Sequence, residues 1–519
     1  FIMKKTLRYK TYWLGVFGLF LGLGNPVLGA PISEDRLPQA KNYYVDALSG
    51  DDSHSGLSAQ QAWKSLKRAS QATLAPGDSL LLRRGTWHRG QLEIKNVSGN
   101  KNAGIVIGAY GQGQRPIIHG DGASYAVAVK NAEYITVRDL ELTNKGVERM
   151  ARRGGLLIEA RDCGVMHGIH IDSLFIHDVN GSLCKECGNG AGIYINNGGE
   201  KVKSAFCDLL IENCHLLRTE RNGMIWNSDY YDRRKWFPSM NTVVRYNLLE
   251  EIPGDGIVPI GCDGVLIEYN LMRRSTPLLT PPESAAGLWA WSCDNIVIQY
   301  NEVSDMKAPW DGQGFDADWN SLNTTIRYNY SHDNEGGFLL LCDAGDQREY
   351  SLGNRDIRVN YNLSIGDGTR TAEVRGKKLS PLICMFGNTS NTIIDHNVFH
   401  INSRLITEGD PSFVGAGNWY GEADSTAYIK NVFYSSESSG FKMGASTRNY
   451  FEDNWYLGQT EPSTLDASAR RKSEGYDAVL HEDPTGFIPL LRLTKPRKVC
   501  GAEMRVVDPE AMKAFFERL

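Results

Sequence analysis

Two aspartates, Asp316 and Asp318 in the segment GFDAD, are the residues of this 519-residue chain best suited to acid–base chemistry. Side chains at positions i and i+2 of a β-strand point to one face, which places the two Cα atoms roughly 6.5–7 Å apart. Glycosidic bond hydrolysis uses two carboxyl groups, about 5–5.5 Å apart in retaining enzymes and about 6.5–9.5 Å in inverting ones. Mutual repulsion raises the pKa of one partner, as a general acid requires. The pair therefore suits glycoside hydrolysis.

Three further carboxyl groups lie near glycine-led strands: Asp255 (PGDGI), Glu335 (DNEGGF) and Asp343 (LLCDAG). Each is a candidate catalytic partner for Asp316 or Asp318, because a repeat fold brings distant segments together. The alternative for acidic residues on an exposed strand is simple solvation, and Asp255 within P-G-D-G also suits a plain turn.

Trp289 and Trp291, in the segment GLWAW, are suited to bind a sugar beside the carboxyl groups. Exposed aromatic faces stack on sugar rings and bury apolar area there. The candidate substrate-binding residues are Trp289, Trp291, Tyr194, Asn196, Asn227, Asp229 and Trp310. The alternative is that the loop 271–286 covers both tryptophans, which would then belong to a small satellite core.

An insertion between Asn301 and Gly314 is expected to form one wall of a cleft, with Trp310 and Asp311 near its rim. Its sequence, EVSDMKAPWDGQ, interrupts an otherwise regular series of short strands. Long irregular segments between regular elements often carry function.

The elements that position these residues form an imperfect repeat. An asparagine closes a short Val-, Ile- and Tyr-rich strand every 23 to 35 residues, at Asn213, Asn247, Asn270, Asn301, Asn329, Asn362 and Asn397. Periods of this size indicate stacked repeats, and the near absence of helical periodicity disfavours helical solenoids. An asparagine at a fixed corner can adopt the left-handed conformation and hydrogen-bond to the next coil, which predicts a ladder.

A glycine precedes an alternating strand in seven segments, at Gly155, Gly192, Gly223, Gly256, Gly287, Gly314 and Gly337. When the seven are aligned, the first and third residues after glycine are mostly apolar and are expected to face the core. The second and fourth are expected to form an exposed face, which brings Trp289 and Trp291 beside Asp316 and Asp318, with Leu339 and Leu341 on the next coil. The pattern predicts an all-β, right-handed parallel β-helix, a single-stranded solenoid.

The region Tyr43 to Trp87 resembles the start of many bacterial parallel β-helix carbohydrate enzymes, the pectate-lyase-like superfamily of glycoside hydrolases and polysaccharide lyases. The resemblance implies a first strand and a short capping helix, here 63–75, where Trp63, Leu66, Ala69 and Ala72 have amphipathic spacing. The region after Asn454 loses the repeat and is interpreted as a C-terminal cap ending in a helix, DPEAMKAFFERL. The predicted divisions are 1–30, 31–90, 91–455 and 456–519.

The first thirty residues predict a signal peptide: a basic start is followed by the apolar run 13–23 and a small-residue site at Gly29-Ala30. A bacterial protein that is secreted or periplasmic is expected, with no membrane span after cleavage. The net charge of −5 and pI of about 6.2 give no general attraction to nucleic acid. We expect a monomer with a polysaccharide or oligosaccharide substrate.

Ten cysteines in an exported chain could form disulfides. Cys184 and Cys187 form a C-x-x-C without a second pair at zinc-ribbon spacing, so a local disulfide or reduced thiols are favoured over zinc. Cys262 and Cys293 are expected to stack on neighbouring coils, as buried thiols or as a bridge.

Three functions compete. A secreted glycoside hydrolase that degrades a polysaccharide without a cofactor is favoured by the paired carboxylates. A polysaccharide lyase acting on a uronate would need Ca²⁺, with Asp316, Asp318 and Asp343 as ligands, and a base such as Lys307, Arg370 or Arg375. The lyase ranks second because the second and fourth residues after the aligned glycines, which are expected to face outward, include no Lys or Arg. The third possibility is a non-catalytic glycan-binding β-helix.

Overall fold

The computed structural model describes residues 39–344, 351–370, 380–401, 412–471 and 490–519. Residues Ala40–Leu519 form one compact unit. The predicted signal peptide and Arg375 lie outside the described residues. No helix in the described part of the chain is both long and apolar enough to span a membrane.

The chain winds through three parallel faces in a fixed order, which confirms the predicted parallel β-helix. The first face contains fourteen strands: Asn42–Val45, Ser79–Arg83, Ile105–Tyr110, Ile135–Arg138, Val165–Asp172, Ala205–Glu212, Ser239–Arg245, Cys262–Glu268, Asp294–Gln299, Ser321–Arg327, Asn354–Asn360, Thr389–Asp395, Asp424–Ile429 and Tyr450–Glu452.

The second face follows the first in each coil. Its strands are Trp87–Arg89, Ile117–His119, Glu141–Asn144, Phe175–Asn180, His215–Glu220, Leu248–Glu250, Leu271–Arg273, Glu302–Ser304, Tyr330–His332, Leu363–Ile365, Val398–Ile401, Val432–Lys442 and Trp455–Thr460.

The third face carries the candidate site. Its strands are Leu92–Ser98, Tyr125–Glu133, Gly154–Arg161, Ala191–Gly198, Asn222–Ser228, Ile257–Val258, Leu288–Ala290, Gln313–Ala317, Gly337–Asp343, Ile383–Gly387 and Ser412–Gly417. The long strand Val432–Lys442 pairs with both the second and the third face and so joins them.

The asparagine marker is an inter-coil ladder, as predicted. The side-chain amide of Asn270 donates to Asn301 at 3.1 Å, and that of Asn301 donates to Asn329 at 3.0 Å. The series runs on through Asn362, Asn397, Asn431 and Asn454. Each amide satisfies buried backbone groups at a corner where no strand pairing can do so.

Two details of the ladder prediction are wrong. Asn213 is exposed, and Cys214 takes the corner position, where its backbone N–H donates to Asn247 Oδ1 at 2.9 Å. The left-handed residue is the one before the ladder asparagine, as at Tyr269 and Tyr300, both with φ of 56°. That turn directs the tyrosine rings outward, where successive rings stack about 5 Å apart.

The predicted capping helix forms, but it is a single turn, Leu66–Ala69, that begins after the N-cap Ser65. Trp63 lies before the helix, where its ring stacks on Tyr43. The final helix, Pro509–Arg518, is present as predicted, after an antiparallel hairpin of Thr494–Val499 and Ala502–Val507.

This C-terminal segment covers the flank of the coils, along the tyrosine row. Arg497 lies 4.1 Å from the ring centroid of Tyr269, and the ring of Phe516 meets Tyr361 edge-on. Val499, Met504 and Val506 pack on Leu248 and Leu271 of two successive coils. The hairpin therefore ties several coils together from the side.

The glycine alignment predicts the strand register correctly for six coils and wrongly for one. Leu288 pairs with Phe315 and Trp289 with Asp316, as expected. Gly337 pairs with Gln313 instead of Gly314, which moves the strand Gly337–Asp343 by one residue. Because side chains alternate, Leu339 and Leu341 face the core and Leu340 and Cys342 face outward, the reverse of the prediction.

On the third face, the second residue after each aligned glycine is covered instead of exposed. Tyr194, Trp289 and Asp316 are all buried. Asn189 and Lys185 of the segment 181–190 contact Tyr194 and Trp289, and this segment is joined to the loop 271–286 where the backbone N–H of Lys185 donates to Glu283 at 3.0 Å. Trp289 is thus buried, with Lys185 over its ring, while Trp291 stays partly exposed.

Candidate active site

Asp316 and Asp318 lie together on the third face, at the end of the strand Gln313–Ala317. The nearest ligand atoms of Asp316, Asp318 and Cys342 all lie within 4.8 Å of one another. Asp318 accepts hydrogen bonds from the backbone N–H of Trp319 at 2.6 Å and from the Cys342 thiol at 2.9 Å. Asp316 is buried, and its Oδ1 has no hydrogen-bond partner among the described residues. The two carboxyl groups therefore differ sharply in how well their negative charge is stabilised.

Burial raises the pKa of both carboxyl groups. The pKa of Asp318 rises to about 6, held down by the Cys342 thiol and the backbone N–H of Trp319. The pKa of Asp316 rises well above its ordinary value because burial and the neighbouring charge of Asp318 act in the same direction. At neutral pH the expected state has Asp318 ionised and Asp316 protonated.

Asp311 is a carboxyl group that the sequence placed near the rim but did not name as catalytic. The short strand Trp310–Asp311 pairs with Ser284–Ala285, so the insertion that was predicted as a cleft wall is joined to the loop 271–286. Asp311 is half-buried and therefore more accessible than Asp316. Burial also raises its pKa, and its charge acts on both Asp316 and Asp318.

Arg370 holds the segment that carries Asp311. Its guanidinium, itself buried, donates to the backbone carbonyl groups of Pro309 and Asp311. Glu335 lies on the other side of this arginine, half-buried, with its pKa raised by burial. The structure therefore places Glu335 next to the wall of the site, near Arg370 and Lys307, and gives no contact between Glu335 and the aspartate pair.

Asp255 does not have the surroundings of a catalytic acid. It is fully buried and paired at 2.6 Å with Arg221, which is also fully buried. Its other oxygen accepts hydrogen bonds from the Trp289 indole N–H at 3.1 Å and the Ala286 backbone N–H at 3.0 Å. With both oxygens committed, Asp255 fixes Trp289 and the loop above it, and its prediction as a catalytic carboxylate is corrected to a positioning role.

Asp343 is also displaced from the predicted site, because of the register shift at Gly337. It alternates with Cys342 on the strand and lies on the opposite side from Asp318. There it accepts hydrogen bonds from the backbone N–H of Asn320 at 3.2 Å and from the Ser351 hydroxyl at 2.9 Å. The proposed calcium ligand set is therefore not brought together, and a thiol stands where Ca²⁺ would prefer oxygen.

The aromatic residues form a cluster beside Asp318. The Trp291 and Trp319 ring centroids are 4.3 Å apart, and Tyr231 lies 5.5 Å from Trp291. Trp291 and Tyr231 are partly exposed, and Trp291 remains suited to stacking on a sugar. Trp289 is buried under Lys185, so its predicted direct contact with substrate is corrected to a supporting position.

The residues predicted to extend the binding face are only partly available. Tyr194 is buried and its hydroxyl donates to Asn189 at 3.0 Å, so its predicted exposure is wrong. The Asn227 amide donates to Asn196 at 3.1 Å, and both remain at the surface. Asp229 is exposed but paired with Arg161 at 3.0 Å. Asn196 and Asn227 are the two that keep free surface for a polar ligand, and Trp310 stays half-buried on the wall.

No protein-family model matches the chain. The chain is 28% identical, over 526 aligned residues, to the lacto-N-biosidase of Bifidobacterium longum subsp. longum. The alignment covers 82% of this chain and 31% of that relative, so the chain spans about a third of its length.

Two solved structures of the GH136 lacto-N-biosidase from Eubacterium ramulus are similar, each at 28% identity. The selenomethionine form has a TM-score of 0.62, and the match covers 77% of this chain and 68% of that one. The native form has a TM-score of 0.61 and covers 78% and 68%.

These similarities of fold and sequence are to carbohydrate-active β-helix enzymes. More particularly, they support a glycosidase over a polysaccharide lyase, in agreement with the prediction from Asp316 and Asp318.

Proposed function

We propose that this protein is a secreted glycoside hydrolase of the lacto-N-biosidase type, in which Asp318 is the ionised catalytic carboxylate and Asp311 the general acid. The observation that carries the proposal is the contrast between neighbouring carboxyl groups. Asp318 accepts two hydrogen bonds, whereas Asp316 has an oxygen without a partner among the described residues and a pKa raised well above its ordinary value. Carboxyl groups whose pKa values are pushed apart are the usual basis for dividing acid and base roles.

Asp318 is assigned the nucleophile or base because it accepts two hydrogen bonds, while Asp316 has an oxygen without a partner among the described residues. The sugar would stack on Trp291, next to Trp319, whose backbone N–H binds Asp318. Asp311 is assigned the acid because it is more accessible than Asp316 and burial raises its pKa. Asp316, buried with an unpartnered oxygen, then acts as the neighbour that keeps a proton in the pair.

Product mass separates hydrolysis from elimination. We would incubate the purified protein with oligosaccharides that end in lacto-N-biose, with a broader glycan panel and with uronate polymers. Hydrolysis adds the mass of water to the products, and elimination adds none and creates an absorbing C=C bond. Release of a disaccharide with added water, unchanged by a chelator, supports the proposal, whereas chelator-sensitive unsaturated products would overturn it in favour of a lyase.

The two roles can be separated with leaving groups of different acidity. An aryl glycoside needs little protonation of its leaving oxygen, so Asp311→Asn is expected to retain far more activity on it than on the natural linkage. Asp318→Asn should lose both activities, because its role does not depend on the leaving group. Equal losses on both substrates in Asp311→Asn would contradict the assignment of the acid.

Export is part of the proposal and rests on the basic and apolar pattern of residues 1–30. N-terminal sequencing of the protein recovered from outside the cytoplasm should show cleavage after Ala30. Retention of the whole segment on intracellular protein would contradict export.

A further inference from the structure

The loop that carries Cys184, Lys185 and Cys187 lies over the candidate active site. It connects the strands Phe175–Asn180 and Ala191–Gly198. Cys184 and Cys187 form a disulfide, which confirms a local bridge as the alternative to zinc. The bridge closes a ring around Lys185 within a single turn of chain.

Lys185 is anchored on both sides of its own backbone. Its N–H donates to the Glu283 carboxylate at 3.0 Å, and its carbonyl accepts from the Asn189 amide at 3.4 Å. Glu283 is paired in turn with the buried guanidinium of Arg221 at 3.3 Å. The loop is thereby tied to the buried Arg221–Asp255 pair beneath it.

The Lys185 side chain extends over the site. Its ammonium nitrogen lies 5.3 Å from the ring centroid of Trp289, a cation–π distance. Trp289 is the direct strand neighbour of Asp316. The positive charge acts on Asp311, Asp316 and Asp318 alike.

We infer that Lys185 is a positioning residue of the proposed glycosidase site, whose ammonium group stabilises negative charge on the aspartate cluster, and that the Cys184–Cys187 disulfide holds it there. The inference rests on the proposed function for its kinetic consequence. The charged and titratable groups that face this cluster are Asp255, Asp311, Asp316, Asp318, Cys342, Glu283, Arg221 and Arg370.

The consequence for catalysis is a shift of the pH profile with a defined sign. A nearby cation favours the ionised form of a carboxyl group, so removing it raises the carboxyl pKa. Asp318 would then need a higher pH to ionise, and the acid limb of kcat/KM should move upward. At an effective dielectric constant near 20, a unit charge about 12 Å away shifts a pKa by about 1 pH unit, and screening by salt lowers this to about 0.5–1 pH unit.

The experiment compares Lys185→Gln with Lys185→Arg, which keeps the charge, and with Lys201→Gln, which removes an exposed lysine outside the site. Lys185→Gln should shift the acid limb upward by about 0.5–1 pH unit, while the other two variants stay within error of the wild type. A Lys185→Gln profile that superimposes on the wild type would overturn the inference, as would an equal shift in Lys201→Gln.

The disulfide is tested with the Cys184→Ser/Cys187→Ser double variant and with wild-type protein treated with dithiothreitol. Both should move the acid limb in the same direction as Lys185→Gln, by a smaller amount, because the lysine is retained but less firmly held. No shift in either, together with a shift in Lys185→Gln, would remove the disulfide from the inference.

A second readout separates this inference from the proposed function. Trp289 lies between Lys185 and Asp316, so its fluorescence should report ionisation of the cluster, with Trp289→Phe as the blank. A titration midpoint that moves upward in Lys185→Gln supports the inference even if the protein hydrolyses no glycan. An unmoved midpoint contradicts it even if hydrolysis is observed.

Discussion

The thiol of Cys342 donates a hydrogen bond to the carboxylate of Asp318 across 2.9 Å, from the next coil of the β-helix. This contact exists because the strand Gly337–Asp343 is shifted by one residue, which turns Cys342 outward. A thiol is a weak donor, so it favours the ionised carboxylate without committing a charged partner to it. The shift thus helps to define which carboxyl group of the site is the anion.

Replacing Cys342 tests this contact. In Cys342→Ala the pKa of Asp318 should rise, because a hydrogen bond to its charged form is lost. A hydrogen bond to a charged group contributes roughly 1.5 kcal/mol or more, so kcat/KM below pH 6 should fall about tenfold. Cys342→Ser, which keeps a donor, is the matched control. Steady-state kinetics from pH 4 to 8 would measure this, and identical acid limbs in Cys342→Ala and the wild type would exclude the role.

The wild-type pH profile has a predicted acid limb. Asp318 must be ionised to act, and its pKa is about 6, so kcat/KM should fall as the pH drops through that value. An Asp with its ordinary pKa would keep its activity to about pH 4. An acid limb below pH 4.5 in the wild type would contradict the raised pKa.

Asp316→Asn should stabilise the protein at neutral pH. The folded-state pKa of Asp316 lies above its unfolded value because of burial, so folding binds a proton and stability falls as the pH rises above about 4. The asparagine amide removes that penalty. The gain in stability should vanish at pH values below the pKa of the aspartate in the unfolded chain. Thermal unfolding at pH 3.5 and pH 7.5 would show it: a higher melting temperature only at pH 7.5 is expected. A lower melting temperature at pH 7.5 would contradict it.

The Arg221–Asp255 pair offers a test of its structural role. Arg221→Met leaves a buried carboxylate without its partner, which should lower the free energy of unfolding by about 3–5 kcal/mol. Arg161→Met, from the exposed pair with Asp229, should cost less than about 1 kcal/mol. Denaturant titration would compare the two. Equal losses of unfolding free energy in the two variants would show that burial of the Arg221–Asp255 pair does not add to its effect on stability.

The ladder asparagines differ from Asn213 in a way that mutation can measure. Asn329 makes four hydrogen bonds in the buried corner, so Asn329→Ala should cost about 2–4 kcal/mol of unfolding free energy. Asn213→Gly removes an exposed side chain that donates to Asp172 and keeps a residue that tolerates the positive φ of 56° at this position, so its cost should be within about 0.5 kcal/mol. A large loss in Asn213→Gly would contradict the assignment of the corner to Cys214.

The sequence predicts the parallel β-helix, the asparagine ladder and the neighbourhood of Trp289 and Asp316, because these depend on period and alternation alone. It mispredicts Leu339 and Asp343, because a one-residue slip at Gly337 leaves no mark in a local pattern. It takes Tyr194 as exposed, because alternation shows which side a residue faces and not what later covers that side.

The position of Asp311 in the candidate site shows the same limit of prediction from local sequence patterns. The insertion was expected to form a cleft wall, and its strand Trp310–Asp311 pairs with Ser284–Ala285. The pairing partner, Ser284–Ala285, lies in a different loop, and no spacing links the two segments. A carboxyl group placed by loop-to-loop contact could be located only approximately from the sequence.

The central claim is that Asp318 is the carboxylate that carries the hydrolysis, and Asp318→Asn tests it most directly. The variant is isosteric and keeps the coil intact, so its melting temperature should stay close to that of the wild type. Measured on an oligosaccharide ending in lacto-N-biose or on the best substrate of the panel, kcat should fall by about 10³-fold or more. A folded Asp318→Asn protein that retains more than a tenth of the wild-type kcat would contradict the account.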